Sequence, residues 1–222
     1  MSGSLLRLLT WLSPAFPTGG FAWSHGLEWA VEAGDVRDEA TLRAWLGAVA
    51  AQGAGRSDAI LLRHAYRVRD VEALTEVAAL AWAAAPGRER QAETLGQGTA
   101  FTLAAAPWPA PLLEALAARI GTAAIAHPVA VGALAAAQGI DEEDVAAGYL
   151  HGFVANLTSA GMRLIPLGQS AGLRVIAALE GVVLAVAAAT RDAALEDVGG
   201  ACLRADIAAM RHETQYTRLF RS

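Results

Sequence analysis

The chain contains no lysine; all 17 of its basic residues are arginine. That absence excludes a Schiff-base mechanism, a Walker-type phosphate loop and a pyridoxal-phosphate site, each of which needs a lysine amine. A single cysteine, Cys202, allows neither an intramolecular disulfide nor a cysteine-based metal cluster. It falls in an alanine-rich stretch, where a small buried hydrophobe is expected rather than a reactive thiol. Charge is scarce too, at 18% of residues, and the formal net charge is −5 with no basic run, which argues against nucleic-acid binding through a basic face. The apolar run in "MSGSLLRLLTWLSP" is too short for a signal-peptide core and is closed by Pro14. Between Arg119 and Asp141 no formal charge occurs, long enough on paper for a membrane span. This run is mostly Ala and Gly with Pro128 in its middle, which predicts two buried helices broken at that proline. The expectation is a soluble, cytoplasmic protein without membrane contact.

What is present is helical. Of the 222 residues 55% are hydrophobic, with alanine dominant, a composition that favours closely packed helices over a sheet. Apolar residues recur with a period of 3.6 throughout, and no alternating strand pattern stands out. The reading is Leu5 to Leu12, a Pro/Gly turn, a helix over Phe21 to Ala33 stopped by Gly34, and a helix capped by Asp38 running to Gln52. Further helices span Ser57 to Arg69, a segment opened by Asp70 and ended at Pro86-Gly87, "RERQAETLGQGTAFTLAAA", Pro111 to Gly121 and Pro128 to Ala137. Asp141 with Asp144 resembles a capping box for a long helix. Ser170 to Ala189 is the most apolar helix, whose one acid, Glu180, needs a partner or a wet edge. Leu203 to Met210 precedes the polar tail "RHETQYTRLFRS". The fold class is all-α, a single domain over residues 1–222 in a bundle of about ten helices.

Candidate chemistry concentrates in "SPAFPTGGFAWSHGLEWAVEAG", Ser13 to Gly34. "AWSHG" is one residue short of the G-x-S-x-G elbow of hydrolases, with Ala22 replacing the first glycine. The elbow needs a strand before its serine, and here a Pro/Gly turn precedes Ser24, so Ser24 is read as a first-turn or capping residue. His25, Glu28 and Glu32 align on one helical face, opposite the apolar Trp23/Leu27 stripe. A metal-dependent hydrolase built on His25 and Glu28 would need a distant third ligand. No H-x-x-x-H or H-E-x-x-H spacing supplies one, and the other histidines, 64, 127, 151 and 212, fall singly. "GAGRSD" and "GQGTAF" lack both the strand and the third glycine of a dinucleotide loop. The residues offer no catalytic constellation, no metal site and no cofactor site. A purely structural helical oligomer stays open as a further alternative.

Three separated segments together resemble the UreF family of urease accessory proteins: the N-terminal "LSPAFPTGGFAWSHGLEWAVEAG", the central "AGMRLIPLGQ" and the terminal "RHETQYTRLFRS". Thr18, Ala22 and Arg163 depart from residues common in that family. The resemblance implies a helical, dimeric, non-enzymatic component of nickel delivery. It would bridge the nickel-carrying GTPase UreG to the scaffold UreD (also called UreH) and through it to urease apoprotein. It further implies UreG contacts among Ser24, His25, Glu28, Glu32, Asp58, Arg163 and Gln169. UreD contacts would fall among Arg211, His212, Glu213, Gln215, Tyr216, Arg218, Leu219, Phe220 and Arg221.

Two expectations follow from pattern and resemblance together. The surplus of apolar residues makes a self-associating face plausible, hence a homodimer burying about 1,200 to 2,000 Å² in total. In the tail, Tyr216, Leu219 and Phe220 stand at i, i+3, i+4, an apolar edge for a helix flanked by Arg211, Arg218 and Arg221. Such a tail, residues 211–222, is expected to order on a partner; the alternative is that Tyr216 and Phe220 tuck into the protein's own core.

Overall fold

The computed structural model describes residues 3–222, and no strand occurs among them. The helices are α1 (Gly3–Trp11), α2 (Leu27–Glu32), α3 (Glu39–Gln52), α4 (Ala54–Arg67), α5 (Val71–Ala83), α6 (Arg88–Ala104), α7 (Pro111–Ile120), α8 (His127–Ala137), α9 (Glu142–Leu164), α10 (Gln169–Ala189) and α11 (Leu203–His212). Single 3₁₀ turns lie at Gly20–Ala22, Thr122–Ala124 and Leu195–Asp197.

The bundle is built around α8, which is buried from Pro128 to Ala135 and packs on α4, α6, α7 and α9. An apolar helix enclosed on all sides is what its all-round hydrophobic sequence requires. Glycine sets how closely it is approached: a Cβ on Gly132 would lie 2.2 Å from the Leu62 carbonyl oxygen, and one on Gly98 would lie 2.0 Å from that of Ile125. The charge-free run from Arg119 to Asp141 holds one buried helix, α8, after the last residue of α7 and a partly exposed 3₁₀ turn, rather than the two buried helices expected. The interruption falls at residues 121–126, with Pro128 in the first turn of α8, where a missing N–H costs nothing.

The anticipated caps explain several boundaries. Asp38 Oδ1 accepts from Thr41 N at 2.8 Å while Thr41 Oγ1 accepts from Asp38 N at 3.0 Å, a complete capping box. Asp70 accepts from Ala73 N, and Asp141 from Glu143 N and Asp144 N. α10 is long and apolar enough to cross a membrane, with a mean hydropathy of 1.9 over 18 residues, but in this fold it packs on α9 and α3 with 39% of that window buried. Its acid Glu180 stands at a wet edge. Cys202 is half-buried and immediately precedes α11, rather than lying inside a helix.

Fully buried Arg63 of α4 fastens two further helices. Its guanidinium donates to Glu142 Oε1 at 2.6 Å, Glu143 Oε1 at 2.9 Å and Oε2 at 3.0 Å, and the Ala187 carbonyl at 2.7 Å. The first turn of α9 and the last turn of α10 are thereby tied to one cation, each end complemented in the sense its dipole favours.

Candidate functional site: the groove holding residues 213–222

The Ser13–Gly34 segment and the tail, far apart in sequence, meet. The expected helix over Phe21 to Ala33 is broken. After the 3₁₀ turn at Gly20–Ala22 the chain runs extended through Trp23, then takes two left-handed residues, His25 (φ 60°) and Gly26 (φ 74°), before α2 begins at Leu27. A Cβ on Gly26 would lie 2.6 Å from the Ala209 amide of α11, so the close α2–α11 crossing demands glycine. The kink is dictated by a neighbour remote in sequence, which local periodicity cannot report.

It also turns the acidic face inward. Ser24, His25 and Glu28 are buried instead of facing solvent. Glu28 spends its carboxylate on the tail: Oε1 accepts from Leu219 N at 2.7 Å, while Oε2 accepts from Phe220 N and lies against His212 Nε2, each at 3.0 Å. Backbone donors converging on one carboxylate are what a buried charge needs. His212 Nδ1 faces Glu89 Oε2 at 2.6 Å, and Glu89 Oε1 accepts from Arg218 at 2.8 Å. Gln215 donates to Glu32 at 2.5 Å. Glu213 Oε1 accepts from Arg88 N at 2.7 Å, placing a negative charge at the α6 N-terminus. Ser24 then binds the chain end of the groove: its amide donates to the Ser222 carbonyl at 2.8 Å, its hydroxyl donates to the same oxygen, and its Oγ accepts from Glu28 N at 3.2 Å. Its hydroxyl thus serves a first-turn amide of α2, while the N-cap position itself is Gly26.

The tail is not helical beyond His212. Phe220 alone of its expected apolar edge is buried, at 4% exposure, while Tyr216 is 102% and Leu219 66% exposed. Phe220 and Phe21 sandwich the Arg163 guanidinium, 4.2 and 3.6 Å from the ring centroids, and Arg163 Nη2 donates to the Phe21 carbonyl at 2.8 Å. Arg221 lies over Trp23 and Arg211 is exposed. Of the residues singled out from sequence, Ser24, His25, Glu28, Glu32 and Arg163 join the tail; Gln169 is exposed at the start of α10 and makes none of these contacts.

Asp58, which the resemblance implies as a UreG contact, is half-buried and lines a partly open pocket of about 440 Å³. Residues 13–21 form one wall, with Arg90, Glu93, His127 and Tyr149 on the others. Tyr149 donates to Asp58 at 2.8 Å, and burial pushes the Asp58 carboxyl up to about 6. Burial likewise depresses His127 to about 4 and lowers His25, the latter with help from the Arg90 charge. Burial alone would raise Glu93, but Arg90, His25 and the Ser222 hydroxyl outweigh it and hold the carboxyl at about 2. His25 Nδ1 lies 3.5 Å from Glu93 Oε1, while Glu28 is committed to the tail. His25 and Glu28 therefore do not converge, and no group of three or more His, Cys, Asp or Glu among the described residues could hold a metal ion. The pair that the hydrolase alternative would use thus turns to different partners.

The UreF family model matches residues 36–180. The urease accessory protein UreF of Bradyrhizobium sp. (strain BTAi1 / ATCC BAA-1182) is 53% identical over 223 residues, covering 99% of this chain and 92% of the relative. The UreF of Methylobacterium sp. (strain 4-46) is 53% identical over 98% of this chain and 88% of its own length, and that of Rhodopseudomonas palustris (strain BisB5) 52% identical over 100% and 92%. The chain belongs to the UreF family of urease accessory proteins. In this UreF-family chain the groove also uses Glu89, Arg90, Glu93 and Ser222, which the residue-by-residue reading left without a role. A signal for the first three was available: "RERQAE" places four charges within six residues of a chain otherwise poor in charge.

Proposed function

We propose that this chain is a non-catalytic adaptor in urease maturation. It would work as a cytoplasmic homodimer, without cofactor, nucleic acid or membrane, bridging the GTPase UreG to the scaffold UreD/UreH and urease apoprotein during nickel insertion. The family supports the urease context. The observation that carries the adaptor reading is the two-sided tail: its inner side is committed to buried carboxylates, while Tyr216 and Leu219 project outward beside Arg211 and Arg221. Exposed aromatic and arginine side chains are the composition of interface hot spots, and Tyr216 has no packing purpose in this fold. The outer face of α10, where Leu173 and Leu184 are exposed along a run of Ala and Gly, suits the homodimer contact.

Truncating the tail is a poor test, because it also removes Phe220 and Ser222 from the interior. Glu28→Ala is equally unsuitable as a surface probe, since it orphans buried donors. The cleaner experiment is Tyr216→Ala with Leu219→Asp, co-purified with UreD. The double variant is expected to keep the parent melting temperature and lose the complex at least tenfold, in line with about 1.4 kcal/mol or more from hot-spot residues. Undiminished UreD binding by the folded variant removes the tail from the interface.

A further inference from the structure

One ring stands between the two carboxylates that hold residues 218–220. His212, with no solvent exposure, is the last residue of α11. Its Nδ1 lies 2.6 Å from Glu89 Oε2 of α6, and its Nε2 lies 3.0 Å from Glu28 Oε2 of α2. The tail occupies the remaining valences of both acids: Glu89 Oε1 accepts from Arg218, and Glu28 accepts from the Leu219 and Phe220 amides. A carboxylate only accepts, so each ring nitrogen facing one must donate, and imidazole donates from both nitrogens only as the imidazolium. Charge gives the same answer. A neutral ring would leave two largely buried acids against one cation, Arg218, whereas an imidazolium balances them. The neighbouring Arg88–Glu213 pair is balanced in itself. A cation also suits the end of α11, where the helix dipole is negative.

We propose that His212 is a positioning residue for the tail: an imidazolium that bridges Glu28 and Glu89 and so fixes the backbone from which Tyr216 and Leu219 project. Each acid has one side on the ring and another on the tail, so the ring sets where both carboxylates face. The resemblance places His212 among the UreD contacts, but a residue without solvent exposure acts on a partner only through what it holds. Other attachments of the segment are few. Gln215 ties its start to Glu32, and Phe220 is its only buried large apolar side chain. Segments with few buried apolar contacts open locally, so the bridge decides how well residues 216–219 keep one conformation. That the surface so fixed serves a partner rests on the adaptor reading; the bridge itself does not.

The test is nitrogen-15 NMR of the full-length protein with labelled histidine at about pH 7.5, where an unperturbed imidazole is mostly neutral. His212 should show a directly bonded proton on both ring nitrogens; one bare nitrogen overturns the proposal. His212→Gln supplies the second arm, because its amide donates to one carboxylate and turns an oxygen toward the other. In the folded variant the Leu219 and Phe220 amides should exchange about tenfold or more faster than in the parent, as for a local opening with one attachment removed. Parent rates at both amides overturn the positioning role. Should His212→Gln fail to fold, Glu89→Gln decides in its place. Its neutral amide no longer calls for a proton on Nδ1, so loss of that proton together with faster Leu219 exchange supports the bridge, and anything less overturns it. UreD binding is read on the same folded variant. A loosened tail that binds UreD in full supports the bridge and removes the tail from the interface, so the two readings fail separately.

Discussion

Two buried arginine–carboxylate clusters have similar chemistry and contrasting surroundings. Arg63 meets Glu142 and Glu143 where α4, α9 and α10 cross, so every member sits on a helix of 14 residues or more. Arg90 meets Glu93 beside His25 and Ser222, where one helix faces a kinked loop and a segment with no regular structure. In the first, the hydrogen bonds reinforce contacts that apolar packing already makes. In the second, they replace such contacts, because the tail brings little more than Phe220 to the core. A buried polar network on rigid helices is a fixed joint, whereas the same network on a loose segment is a releasable one. That difference separates the frame of this protein from the segment proposed to meet a partner.

The strongest way to break the comparison is Arg63→Ala. It takes one donor each from Glu142, Glu143 and the Ala187 carbonyl, which keep Arg67, Arg191 and the Thr190 hydroxyl, and it opens a cavity at a fully buried site, a loss of about 2–5 kcal/mol. The expected outcome is a large fall in the urea midpoint for the whole molecule, with α8 amides losing protection in step. If only α9 and α10 fray while α8 keeps its protection, Arg63 is not a joint of the frame.

A smaller effect sharpens it through pH. Asp58 is raised from 3.8 to about 6 by burial, so the folded protein binds this proton more tightly than the unfolded chain does. The stability it lends is complete below about pH 3.8 and is lost as pH climbs through 6, by about 3 kcal/mol. Glu93 has the opposite sign: held at about 2, its contribution is complete above pH 4.5 and is lost as pH falls toward 2. Asp58→Asn keeps an acceptor for the Tyr149 hydroxyl and should remove the falling component between pH 4 and 6, so that the opposite, rising contribution of His127, depressed from 6.5 to about 4 by burial, is unmasked while the acid limb stays. Urea midpoints at pH 4.5 and 7 measure it; parent and variant curves of equal slope in that window would dismiss the Asp58 assignment.

How much of this was legible in the sequence follows the same division. Helices whose ends are fixed by their own residues were readable, as Asp38, Asp70 and Asp141 show by capping where expected. α8 was readable because an apolar stretch without charge has only the interior to occupy. The groove was visible only as two distinctive segments, each identified by family resemblance. Their pairing was not, since Glu28 reaches Leu219 and Phe220 across 191 and 192 positions. "AWSHGLEWA" keeps helical periodicity through His25 and Gly26, and only the approach of α11 forces those residues left-handed. The tail misled for a related reason: its i, i+3, i+4 spacing suits a helix, but Glu28 captures the Leu219 and Phe220 amides, and Phe220 alone turns inward.

The contrast between fixed and releasable clusters is most directly measured by native-state amide exchange under increasing sub-denaturing urea. The Leu219, Phe220 and Arg221 amides are expected to exchange about a hundredfold or more faster than those of α8, with little urea dependence, because their opening exposes little surface. α8 should exchange only with global unfolding. If the tail amides instead match α8 in both rate and urea dependence, the tail is part of the frame, and the account of a releasable segment is contradicted.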